Sequence, residues 1–301
     1  MLYKFDNNKL TLIKEQPFKL EKDLEEVVNN HLQELTGLQL IEAYSRIDNY
    51  IFDALAYNKE TNSFVIIEYK KVRCDHLVDQ GFAYLGTMLK RKAEFVLKYN
   101  NINNKNKTIN DFDWSQSRVV FISPAFSNYQ LDANTYIKMP FDLYSIKKYD
   151  NILSFEKIED KKSSKIDFVN SNIISEENAV MKEIKVYTEE DHFKYGNENT
   201  KTLYETIKSR MFEWGDFSID PKKVYIAFKG KTNIIDIQFH SNYLTLWINI
   251  RKGELKDANN FMEDCSTVGH HGNGDYKCNL KNDENIDYLM SLIKQSWNKN
   301  K

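Results

Sequence analysis

Two apolar stretches divided by a polar turn constrain this chain more than any other feature. They are Ile51-Phe52-Asp53-Ala54-Leu55-Ala56-Tyr57 and Phe64-Val65-Ile66-Ile67-Glu68-Tyr69-Lys70-Lys71, joined by Asn58-Lys59-Glu60-Thr61-Asn62. The β-branched and aromatic content with a polar break predicts a hairpin. Glu68 and Lys70 are two apart, so on a strand both side chains leave the same face. Folding the hairpin about Glu60 places Asp53 opposite or beside Glu68, roughly 5 Å away. Two carboxylates and an ammonium then converge within strands that are otherwise apolar. An ordinary surface salt bridge would account for the spacing alone, but not for the charge embedded among Ile, Val, Phe and Leu.

The segments around the hairpin predict an α/β unit. Leu20, Leu24, Val27, Val28, Leu32 and Leu35 recur at helical spacing before Gly37. Strands are expected over 38–47, 50–57 and 64–72, and a long helix over 76–99. Arg118 to Ser123 has the β-branched character of a buried strand. A short helix over 132–139 and a strand over 142–147 complete a mixed sheet flanked by helices. The polar stretch 161–177 reads as a linker, which divides the chain into a first domain over 1–160 and a smaller α+β domain over 178–301. In the second, a helix fits 200–214, strands fit 223–228, 233–239 and 243–250, and a last amphipathic helix fits 285–297.

Composition narrows the function. Lys+Arg 42 against Asp+Glu 44 gives a net charge of −2, so any nucleic-acid partner is held by a local patch rather than by a global field. The chain lacks an apolar run long enough to span a membrane and a signal-like start. Cys74, Cys265 and Cys278 are too scattered for a disulfide framework. These features point to a cytoplasmic protein with reduced thiols.

A close pair of carboxylates repels itself, and a divalent cation relieves that repulsion. Mg²⁺ or Mn²⁺ at such a pair activates water and stabilises charge on a phosphodiester, with Lys70 to orient the nucleophile or neutralise the developing charge. Glu21 and Glu25, one turn apart on the preceding helix, offer a third acid. Gln80 and Tyr84, one turn apart near the start of the next helix, face the same region.

Asp53 followed by Glu68-Tyr69-Lys70 at the end of an apolar strand resembles the PD-(D/E)xK nuclease superfamily, the restriction-endonuclease-like fold. The acidic helix before it and Gln80-x-x-x-Tyr84 after it are similar to motifs of RecB-type nuclease domains. The resemblance covers about residues 15 to 150, with Phe52 where the motif's naming proline would stand. It implies a restriction-endonuclease-like mixed sheet, metal ligation by Asp53, Glu68 and the Tyr69 carbonyl, and Lys70 as the catalytic lysine. Gln80, Glu21 and Glu25 would complete the catalytic set. Gln80, Tyr84, Lys71, Arg73, Lys90 and Arg91 would contact nucleic acid. The implied activity is metal-dependent hydrolysis of DNA, in defence or repair. The competing reading is an inactive scaffold that binds nucleic acid or a protein. A homodimer is compatible with either.

The second half resembles an uncharacterised domain that follows such nucleases. The resemblance is carried by Ile234-Ile235-Asp236-Ile237, Trp247-Ile248-Asn249 and Gly269-His270-His271-Gly272-Asn273-Gly274-Asp275. Cys265, His270, His271 and Cys278 have zinc chemistry but not the spacing of paired knuckles. The glycine-rich segment is read instead as a tight turn needing positive φ.

Overall fold

The computed structural model describes residues 2–71, 77–128, 130–131, 139–158 and 175–301. The chain forms two compact units, Met1–Val186 and Tyr187–Lys301. No helix among the described residues is long and apolar enough to cross a membrane.

The first unit opens with a hairpin of β1 (Leu2–Asp6) and β2 (Lys9–Ile13), followed by helices α1 (Glu21–Asn30) and α2 (Leu32–Thr36). Strands β3 (Gln39–Ile47), β4 (Tyr50–Asn58) and β5 (Ser63–Tyr69) form an antiparallel meander. Helices α3 (Leu77–Lys90) and α4 (Lys92–Asn103) then cross over to β6 (Arg118–Ser123), which pairs parallel to β5. β7 (Phe141–Tyr149) lies parallel to β6, and β8 (Ile152–Lys157) closes the edge antiparallel. Among the described residues the sheet therefore has six strands in the order β3-β4-β5-β6-β7-β8. This is the mixed sheet flanked by helices that the sequence predicts.

The sheet is covered on both faces, which explains why β5 reads as an almost unbroken apolar run and is buried throughout. On one face Leu24, Val28 and Leu32 of α1 and α2 pack on Ala54, Ala56, Val65, Ile67 and Tyr69. On the other, α3 and α4 bring Leu85, Met88 and Phe95 onto Phe52, Phe64, Ile66 and Phe121. Gly81 makes the close approach of α3 workable, because a Cβ there would lie 2.6 Å from the Phe141 ring.

Several elements differ from expectation. The long helix over 76–99 is two helices, broken at Arg91, whose backbone leaves the helical region at φ −116° and ψ 28°. The change of direction seats Phe95 beside Phe52 and Phe64, with ring centroids 5.9 and 5.8 Å apart. The first helix is likewise interrupted at His31. The strands β1, β2 and β8 were not foreseen, although Tyr3 and Phe5 alternate with Lys4 and Asp6, and Leu10 and Leu12 with Lys9 and Thr11. The helix expected over 132–139 lies outside the described residues as far as 138, as does the expected linker as far as 174. From Ser175 the chain forms helix α5 (Ser175–Glu183), and Val180, Met181 and Ile184 enter the core of the first unit. That packing places the division of the chain after Val186 rather than at 178.

The second unit is a wholly antiparallel sheet in the order β13-β14-β12-β11-β10-β9. Its strands are β9 (Ser218–Pro221), β10 (Ile226–Lys229), β11 (Asn233–Phe239), β12 (Leu244–Ile248), β13 (Glu263–Asp264) and β14 (Tyr276–Leu280). Helix α6 (Glu189–Phe193) precedes α7 (Glu198–Phe212), which packs with α8 (Ile286–Asn300) on the sheet. Short β9, β13 and β14 and the small α6 were not foreseen. Asp236, fully buried on β11, accepts from Asn233 Nδ2 at 2.8 Å and Asn273 Nδ2 at 2.9 Å. It also accepts from the Asn273 backbone N–H. The glycine-rich segment is thus a turn pinned to a strand acid. Gly274 sits at φ +91°, where a Cβ would meet the Ile248 carbonyl oxygen at 2.0 Å.

Candidate active site

The site forms where β4 and β5 part company. Their ladder runs from Asn58↔Ser63 to Ala54↔Ile67, so its continuation sets Asp53 against Glu68. The Tyr69 N–H donates to Asp53 Oδ2 at 2.8 Å, so the carboxylate itself closes the gap between the separating strands. On the other side of β4, Tyr44 lies opposite Asp53 between the pairs Ala43↔Ala54 and Ser45↔Phe52. Tyr44 has φ +53°, a left-handed conformation unusual for a non-glycine residue within a strand.

Glu68 is only 3% exposed. Its Oε1 accepts from Lys70 Nζ at 2.5 Å and from Gln80 Nε2 at 2.7 Å. Its Oε2 is buried and makes no hydrogen bond. Burial and the neighbouring Glu68 push the Asp53 carboxyl up to about 7, against the opposing pull of the Tyr69 N–H and the Lys70 charge. Desolvation opposes charge on Lys70, but Glu68 and Asp53 outweigh it and hold the ammonium above its ordinary range. Both acids thus favour the charged form of Lys70.

The two acids of α1 have separate places. Glu25 is buried, accepts a hydrogen bond from the Tyr44 hydroxyl and contributes to the field at Asp53. Glu21 accepts from the Lys71 N–H at 2.8 Å and fastens the chain just beyond Lys70. Asn29, one further turn along, accepts from the Tyr69 hydroxyl at 2.7 Å. Asn29 was not singled out from the sequence, although Glu21, Glu25 and Asn29, spaced four apart on one helix flank, were a usable signal. Tyr44 was also missed, since a left-handed strand residue leaves no mark in hydropathy.

Gln80 lies in the first turn of α3 and also donates to the Tyr84 hydroxyl at 2.6 Å. Tyr84 is 5% exposed, and burial with nearby Glu68 raises its hydroxyl above the ordinary range. It braces Gln80 and presents little surface to a ligand. Lys71 donates its ammonium to the Lys19 carbonyl. Lys90 and Arg91 are at the far end of α3, about 15 Å along the axis from Gln80, and Arg91 is held by Asp48 at 2.9 Å. These two do not join the acid pair, and Arg73 lies outside the described residues.

Asp53 and Glu68, with the Tyr69 carbonyl that the sequence adds to them, would offer an all-oxygen donor set. An unpartnered buried carboxylate oxygen on Glu68 beside a second acid fits a hard divalent cation. Among the described residues no three His, Cys, Asp or Glu side chains form a metal cluster. An ion on this pair would need backbone, water or substrate oxygens to complete its shell. In the second unit, burial pushes the Cys278 thiol up to about 12, away from the thiolate a zinc site requires.

A family model described as a domain of unknown function, DUF5655, matches residues 189–300. Two solved structures overlap the chain in part. A repair endonuclease from Pyrococcus abyssi is 15% identical with a TM-score of 0.29, covering 44% of this chain and 49% of that one. The EndoMS–dsDNA2 complex is 14% identical with a TM-score of 0.29, covering 46% of this chain and 48% of that one. The chain thus spans about half the length of either structure. An uncharacterised protein of Haemophilus influenzae is 40% identical over 289 residues, which is 95% of this chain and 96% of that protein. With that identity running through both units, the chain belongs to the same family as the Haemophilus influenzae protein.

Proposed function

We propose that the first unit is a metal-dependent nuclease of the PD-(D/E)xK type that hydrolyses DNA phosphodiester bonds. The observation that carries this reading is Glu68, a buried strand acid with one oxygen shared by Lys70 and Gln80 and the other unpartnered, set against Asp53. A group of this kind destabilises a fold unless a ligand answers it. Asp53, Glu68 and the Tyr69 carbonyl would hold Mg²⁺ or Mn²⁺, which supplies Lewis-acid stabilisation and a more acidic water when bound.

The remaining chemistry belongs to the protein. The Tyr69 N–H orients Asp53, and Gln80 with Lys70 fixes Glu68 in one rotamer. Lys70 places a permanent positive charge beside the acids, where the additional negative charge of a five-coordinate phosphorus would develop. Tyr84 and the Tyr44–Glu25 contact keep the supporting groups in place. The choice of DNA follows the resemblance built on Asp53 and Glu68-Tyr69-Lys70.

The test is incubation of the full chain with DNA and RNA substrates, single- and double-stranded, in Mg²⁺, Mn²⁺ or EDTA, beside Glu68→Gln. Expected is cation-dependent cleavage of DNA that EDTA and the substitution both abolish. Cleavage that persists in Glu68→Gln removes this site from the reaction.

A further inference from the structure

The ring of Tyr44 is unexplained by packing. It is 51% exposed, it stands opposite Asp53, and the backbone at φ +53° is held in a conformation that disfavours a side chain of its size. Its hydroxyl is anchored to buried Glu25, which fixes one end of a side chain that is half exposed. Tyr50, beside the turn of the same hairpin, is 39% exposed and packs edge-on against Tyr84 at 5.7 Å and 81°. Tyr84 in turn is bonded to Gln80, which holds Glu68. One half-exposed ring is therefore tied to the acid pair through α1 and the other through α3. Arg46, two residues beyond Tyr44, is also exposed.

We propose that Tyr44 and Tyr50 are stacking platforms for unpaired nucleobases on either side of the cleaved phosphate, and that the substrate of this site is single-stranded DNA. An aromatic face attracts a base only when that base's own face is free, and within a duplex neighbouring pairs cover it. Anchored rings lose little freedom on binding, and stacking of this type is tolerant of sequence. A chain of net charge −2 lacks the broad positive field that grips duplex phosphates, so a few stacking contacts with a local arginine suit it better. This inference rests on the nuclease reading for its cleaved phosphate, but its binding part is measurable without cleavage.

The experiment measures binding of a fluorescent 20-nucleotide mixed-sequence strand and of the matching duplex to the full chain in EDTA. Tyr44→Leu and Tyr50→Leu are each expected to weaken single-strand binding about 10-fold and leave duplex binding unchanged, while Tyr44→Phe, which keeps the ring but loses its anchor, weakens it less than Tyr44→Leu. Tyr44→Gly suits the left-handed backbone, so it is expected to retain its melting temperature and still lose the single strand. Retained stability with lost binding separates a contact role from a structural one. Unchanged single-strand affinity in both Leu variants, equal weakening of both DNA forms, or a wild type that binds only duplex or neither form overturns the proposal. Ring-dependent binding without cleavage in Mg²⁺ or Mn²⁺ would leave the platforms standing and remove the nuclease reading instead.

Discussion

Glu68 in the first unit and Asp236 in the second are both carboxylates on inner strands, 3% and 0% exposed, and their surroundings treat them in opposite ways. Asp236 has both oxygens engaged by Asn233 and Asn273, and in return it pins the turn that carries Gly272 and Gly274. Glu68 has one oxygen crowded by two donors and the other left without any. A second acid sits beside it, itself raised by burial and repulsion. The first arrangement is complete within the chain. The second leaves one oxygen without a partner, and under the proposed nuclease reading that oxygen is where a cation would bind.

The contrast can be broken or sharpened by substitution. Lys70→Ala is expected to lower Mg²⁺-dependent DNA cleavage about 1000-fold, since it removes a preorganised charge from the reacting phosphate. Melting of the metal-free variant should show whether the loss is chemical or structural. Asp236→Ala should have the converse profile and cost about 3 kcal/mol in urea unfolding of the second unit, because it strands the donors of Asn233 and Asn273. An effect of equal size on stability at both places would erase the distinction drawn above. Gln80→Ala should reduce cleavage about 10-fold, less than Lys70→Ala, because Glu68 keeps one of its two restraints. Single-turnover rates at saturating cation measure that ordering.

The smallest effect expected concerns His192, whose Nε2 hydrogen-bonds to the Lys222 carbonyl at 2.7 Å. Burial lowers its imidazole below the ordinary 6.5, against the backbone carbonyl of Lys222 and the charges of Asp191 and Glu189. The neutral form is the one that suits the fold, so its contribution is intact above pH 6.5 and is lost as pH falls below it. The slope from one proton is at most about 1.4 kcal/mol per pH unit. Urea unfolding of the second unit between pH 7.5 and 5.5 should flatten in His192→Asn relative to wild type.

The parts of this molecule legible in the sequence were those with a dense periodic signal. The meander of β3, β4 and β5 and the register that sets Asp53 against Glu68 follow from apolar strands with a polar turn between them. Long-range pairing was harder. Nothing local says that β6 and β7 run parallel to β5, or that Val180, Met181 and Ile184 leave a polar stretch to join the first core. Within the site, Glu25 and Glu21 were interchangeable as letters on one helix flank. Only the tertiary contacts turn one toward Asp53 and the other onto the Lys71 backbone. Lys90 and Arg91 looked close because they follow in the chain, yet a straight helix carries them away from Gln80. Tyr44 escaped notice because its importance lies in a backbone angle that no composition records.

Gly81 adds a mechanical condition to this picture. It is the neighbour of Gln80, and the Phe141 ring occupies the space where its side chain would begin. The residue thus acts as a depth stop, holding the helix low enough for an amide to reach across to the strand. A single methyl at that position would force the ring or the helix to give way, and a helix that yields would draw the amide away from Glu68. Under the nuclease reading, such a shift would disarm the centre with every acid and base still present in the chain, by displacement rather than by loss of any reactive group.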